Sequence, residues 1–177
     1  MTVVIAAAAV ALMAPASGSA AVIGADLPAD ADDTENCADG AGCTFAQVKL
    51  NGDAVEAPAT GKIKSFKVQG ASGSFGVQVL HKTGATEYKA VRSSPLTFAD
   101  ADVGEVVKFS GLDLRIRKHE FVALRMSEGS AFEINESMPN DFGVIGFIPA
   151  LSPGETDDAT FVDHNDLYLY NAKIRPS

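Results

Sequence analysis

Beyond its first forty or so residues this chain never lets an apolar run grow long. Glycines and polar turn residues recur roughly every 8–12 positions, and the stretches between them are short and rich in Val, Ile, Phe, Tyr and Thr. The helical i, i+3, i+4 spacing of apolar residues is almost absent there, whereas period-two alternation is common. Leu112, Leu114 and Ile116 fall on one side of an extended run, with Asp113, Arg115 and Arg117 on the other. Phe75, Val77 and Val79 share a face, as do Val122, Leu124 and Met126.

Read in order, the expected strands are Thr44–Leu50, Lys62–Gln69, Ser74–Leu80, Glu87–Ser93, Leu96–Ala99, Glu105–Ser110, Leu112–Arg117, Glu120–Met126, Ala131–Asn135, Phe142–Ile148, Phe161–Val162 and Leu167–Ile174. Asn51-Gly52 is a strong reverse-turn pair after the first of them. Phe142–Ile148 is apolar on both sides and is expected to lie deep. So many short strands cannot bury one side of a single flat sheet, so two packed layers are required. The predicted fold is all-β: an antiparallel, two-sheet, jelly-roll-like sandwich over residues 43–177, following an N-terminal signal helix.

The first twenty residues carry the signal-helix expectation. Val3 to Met13 is unbroken apolar sequence, followed by Pro15, Ser17, Gly18, Ser19 and Ala20. That length and those small residues suit a secretory signal peptide over residues 1–20, cut after Ala20 or after Ala21. No Lys or Arg precedes the run, which departs from the usual pattern. A spanning anchor needs about 20 apolar residues, and Pro15 to Ser19 interrupts any such stretch. The expectation is a secreted protein of about 157 residues, the size of one ordinary domain.

Residues 21–42 read as an extended acidic arm, with a possible edge strand at Ala21–Gly24. Asp26, Asp30, Asp32, Asp33, Glu35 and Asp39 account for six of the nine excess negative charges. That balance argues against nucleic acid and against anionic membranes as partners. Cys37 and Cys43 are the only cysteines, and the segment between them holds Gly40 and Gly42, so an oxidising compartment should join them. No histidine neighbours the pair, which disfavours zinc.

Candidate chemistry is sparse. Asp157, Asp158, Asp163, Asn165 and Asp166 supply hard oxygen ligands that suit Ca²⁺, but they match no EF-hand frame. The plain alternative is a solvated acidic loop. His81, His119 and His164 have no metal-pair spacing. Arg115, Arg117 and Lys118 before His119-Glu120 suit a carboxylate or a sulfated sugar, or else simply discourage edge pairing. There is no Trp, and of the three tyrosines Tyr168 and Tyr170 lie on one face of the last strand. They form either a small sugar platform or part of the core. Twenty-three acids make any carboxylate pair uninformative, and no nucleophile elbow occurs.

Several segments together resemble a group of exported bacterial β-sandwich proteins of unknown function. They are Ile23-Gly24-Ala25-Asp26-Leu27, Cys43-Thr44-Phe45-Ala46-Gln47, Ala57-Pro58 with Gly61, Ile63-Lys64-Ser65-Phe66-Lys67-Val68, Gly70-Ala71-Ser72-Gly73 leading to Val77-Gln78-Val79-Leu80, and Asp166-Leu167-Tyr168-Leu169-Tyr170-Asn171-Ala172. The resemblance covers nearly all of the chain after the leader. It implies export and a sandwich, and it offers no catalytic residues. This chain has His119-Glu120 where related chains often have Gly-Asp, and it lacks the Asp-rich calcium repeats that follow the last strand in some of them. The expected role is a non-catalytic extracellular binding or cell-surface module, with carbohydrate as the leading ligand. A polysaccharide-active enzyme and a purely structural surface or matrix protein are the alternatives.

Overall fold

The computed structural model describes residues 19–38 and 40–177. The expected signal helix therefore lies outside the described residues. Sixteen strands follow one another: β1 (Ala21–Gly24), β2 (Asp33–Asn36), β3 (Cys43–Leu50), β4 (Asp53–Ala54), β5 (Gly61–Gln69), β6 (Ser72–Lys82), β7 (Glu87–Ser93), β8 (Thr97–Asp100), β9 (Val106–Ile116), β10 (Phe121–Met126), β11 (Ala131–Asn135), β12 (Gly143–Phe147), β13 (Thr156–Asp158), β14 (Phe161–Asp163), β15 (Leu167–Tyr168) and β16 (Tyr170–Pro176).

They form two antiparallel sheets packed as a sandwich. The smaller has the order β1-β16-β5-β9; the larger follows β13-β7-β6-β10-β3-β12-β14, with β2, β4, β8, β11 and β15 at its margins. Many neighbours are distant in sequence, as a jelly-roll-like connectivity requires. The main core fills the space between the layers. Ile63, Phe66, Ile174 and Ala172 come from the small sheet, and Phe45, Phe75, Val77 and Leu124 from the large one. Each large side chain taken fully out of water contributes roughly 1.5–3 kcal/mol.

The large sheet also buries its other face, which explains why Phe142–Ile148 is apolar throughout. The segment after β12 crosses that face. Ala150 donates its amide to Gly42, the Leu151 carbonyl accepts from Gln78 Nε2 at 2.8 Å, and the Gly154 amide reaches Ala90. Beneath it Ala46, Leu80, Tyr88, Phe121, Ile145, Phe147 and Leu151 form a second apolar cluster.

One strand expectation changes. Glu105–Ser110 and Leu112–Arg117 are not separate strands: β9 runs through Gly111, whose φ is +80°, and the register shifts opposite Ile63 to Ser65. Glycine thus makes a bulge instead of a turn. The acidic arm carries the edge strand expected at Ala21–Gly24. Its β1 pairs with β16 and its β2 with β11, so the arm joins one sheet to the other. Between those strands the Gln69 side chain accepts from the Ala29 amide and donates to the Ala29 carbonyl.

Cys37 and Cys43 form a disulfide with the Cα atoms 5.7 Å apart. Both are fully buried. The short loop it closes is worth about 2 kcal/mol in chain entropy. The bond is consistent with an extracellular compartment. Among the described residues no helix is long and apolar enough to cross a membrane.

Candidate functional site

Alternation along β5, β9 and β16 places their apolar residues inward and their polar ones on the outer face of the small sheet. Pairing then sets the polar residues side by side. Lys62 lies between Arg175 and Arg115, Ser65 between Lys173 and Ser110, and Lys67 between Asn171 and Lys108. The bulge at Ile63–Ser65 adds Lys64 to the same region. Val22 on the edge strand β1 stands next to Lys173. Seven of the protein's fourteen Lys and Arg residues (Lys62, Lys64, Lys67, Lys108, Arg115, Lys173 and Arg175) thus share one face of a chain whose net charge is −9.

Two adjoining shallow depressions mark this face, of about 460 and 400 Å³. Ser65, Lys108 and Lys173 border both, so the two make one trough. Asp113 bridges Lys62 and Lys64, with Lys62 Nζ at 2.6 Å. The hydrogen bonds donated by these two ammonium groups lower the Asp113 carboxyl to about 2. Among the described residues no carboxylate pairs with Lys67, Lys108, Lys173 or Arg175. The Asn171 amide is spent on the Ala25 carbonyl at 2.7 Å.

The residues singled out from sequence lie elsewhere. Tyr168 and Tyr170 are 0% and 2% exposed, so the platform reading is corrected: both are core aromatics. Each ring can be buried because its hydroxyl is satisfied. Tyr168 donates to Glu35 Oε2 at 3.2 Å, and Tyr170 donates to the Val122 carbonyl at 2.8 Å while accepting from the Gln47 amide. Burial raises both phenols above their usual range. The alternation assumed for the last strand fails because it breaks at Leu169, which is itself buried.

The calcium reading is corrected as well. Asp157 and Asp158 lie on β13 beside β7, Asp163 ends β14, and Asp166 precedes β15. They hold local structure: Asp158 accepts from the Thr86 hydroxyl, Asp157 from the Asp158 amide, and Asp163 from the His164 amide. Among the described residues no three His, Cys, Asp or Glu side chains gather in a way that would hold a metal ion. From the basic run, only Arg115 joins the cationic face. His119 sits at φ +67° with Nδ1 2.7 Å from Glu56, and Glu120 is buried, accepting from the Arg117 amide and from Arg92. The other buried glutamate, Glu133, accepts from the Gly104 amide and Gln69. Glu133 borders a shallow surface depression together with Asp32 and Asp33, its own carboxylate held by these bonds.

The arm does bring acids together. Asp32 accepts from the Glu136 amide and the Ser137 hydroxyl, which hold its carboxyl below the usual range. Burial first, then the charges of Asp163, Glu136 and Asp32, raise Asp166 to about 6. Glu136 is raised chiefly by Asp33, and Glu35 by burial. Folded Asp166 therefore keeps its proton to about pH 6, whereas the unfolded chain releases it near 3.8. The folded state binds more protons between those values, so stability should fall as pH rises from about 4 to about 6 and then level off. Asp166→Asn should raise the melting temperature at neutral pH and flatten that limb. Thermal melts of both proteins across this range check it; identical slopes would refute the assignment.

Compared with protein-family models, curated proteins and solved structures, the chain matches none of them.

Proposed function

We propose that this protein is an exported, non-catalytic binding module of the extracellular space or cell surface, and that it takes a glycan on the outer face of the small sheet. The trough, whose two depressions meet at Ser65, Lys108 and Lys173, carries this reading: it is polar, shallow and open, as suits passage of a polymer. The disulfide, the apolar leader with its small-residue cut site and the likeness to exported bacterial β-sandwich proteins support export. The buried glutamates, spent on backbone and side-chain hydrogen bonds, favour binding over polysaccharide cleavage.

Ser110→Trp tests this without touching charge. Ser110 is exposed on β9 and lines the larger depression, so an indole there fills the trough while the fold persists. On a glycan array the unaltered protein should retain at least one polymer and Ser110→Trp should retain it about tenfold more weakly or worse. Undiminished retention by the variant, or release of new reducing ends from the bound polymer, would overturn the reading. A structural surface role is the second reading, favoured by Phe98 on β8, which is 71% exposed with Leu96 and Val103 also outside.

A further inference from the structure

We infer that the polymer taken by this face is polyanionic, a glycan carrying repeated carboxylate or sulfate groups. This rests on the binding reading above and names its ligand class.

Lys67 and Lys108 are directly paired across β5 and β9. Like charges in that arrangement repel. The chain has many acids with which to neutralise them, and next door it does so: Asp113 bridges Lys62 and Lys64. Around Lys67, Lys108 and Lys173 it does not. Asp26 borders the smaller depression, yet it forms no ion pair with any of the three among the described residues. An anionic group seated between them would relieve their repulsion.

The geometry suits a chain of anions more than one ion. Outward positions repeat about every 6.8 Å along a strand, and strands lie about 4.8 Å apart. The rows Arg175–Lys62–Arg115 and Asn171–Lys67–Lys108 flank the row Lys173–Ser65–Ser110 on either side, the first set off from it by the bulge at Ile63–Ser65. Ser110 is exposed and spends its hydroxyl on no other side chain among the described residues, so it can bond sugar hydroxyls or ring oxygens; Ser65 beside it is 7% exposed. With all three tyrosines buried, this face has no aromatic ring on which a neutral sugar would stack. Charge is then the main source of affinity. The acids of the arm begin at the rim with Asp26; a flexible single-chain glycan can follow the trough clear of them, whereas a stiff, wide duplex cannot bend away.

The test uses the full chain, immobilised polygalacturonate and dextran sulfate, neutral dextran, and duplex DNA. The protein should bind the two anionic glycans, bind neutral dextran and DNA far more weakly, and release the anionic glycans as salt rises. The triple variant K67Q/K108Q/K173Q should lose about tenfold or more in affinity, and K67R/K108R/K173R should keep it. Unchanged melting temperatures establish that these substitutions leave the fold intact. If the glutamine variant binds as well as the parent while Ser110→Trp does not, the polyanion inference falls and the binding face stands. Equal or tighter binding of DNA would overturn the glycan class, and failure to bind any glycan would sink both readings.

Discussion

Gln47→Leu is expected to lower the melting temperature by on the order of 10 °C, although leucine is of similar size and more apolar. Gln47 is 1% exposed and sits in β3. Its Nε2 shares its two N–H groups among the carbonyls of Lys49, Gly143 and Asp166, and its Oε1 accepts from the Tyr168 amide. One amide side chain therefore fastens β3 to β12 and to the start of β15, where ladder pairing is broken. Leucine would leave these groups in the interior without partners, each at a cost of roughly 1–3 kcal/mol. Several of them together amount to about 3–5 kcal/mol, a large share of the 5–15 kcal/mol typical of a domain. Thermal and urea unfolding of Gln47→Leu against the parent measure the loss. A fall of only a degree or two would mean that water or a shift of β15 satisfies these groups instead.

Nothing about Gln47 in the sequence announces this. It stands within Cys43–Leu50 as one polar residue of a strand, and its partners Gly143, Asp166 and Tyr168 lie 96 to 121 residues away. The same distance hid the cationic face. Lys62, Lys64 and Lys67 read as ordinary solvated positions, as do Lys108, Lys173 and Arg175; only pairing of β5 with both β9 and β16 gathers them. The basic run at Arg115–Lys118 stands out because its charges are adjacent in sequence, yet its later members turn away with His119. Layers and core were legible because periodicity is local: Phe75, Val77 and Val79 are buried on one face as their alternation requires. The tyrosines were ambiguous for a physical reason. A phenol suits either surface or core, and the deciding hydrogen bonds from Tyr168 to Glu35 and from Tyr170 to Val122 span 133 and 48 residues.

Phe45→Ala should be the most destabilising change in the core, costing about 3–5 kcal/mol. The ring is fully buried and meets Tyr168, Phe161 and Phe132 at centroid separations of 5.8, 6.0 and 6.3 Å. Its neighbour across the ladder is Gly146, over which the Phe161 ring lies so closely that a Cβ there would run into it. Phe161 is thus held between a glycine it covers and a phenylalanine it leans on, and cannot readily slide into the space that alanine would open. Phe45→Leu retains most of the volume and should cost nearer 1.5 kcal/mol. Chemical denaturation of both variants gives the ratio; equal losses would mean that the site collapses freely and that ring packing contributes little. Phe45 belongs to the large sheet, and the cationic trough is on the outer face of the other. Well below its lowered melting temperature, Phe45→Ala should therefore bind an anionic glycan as the parent does, whereas the lysine-to-glutamine variant should melt like the parent and bind poorly. That opposite pattern separates the core that builds the face from the charges that use it.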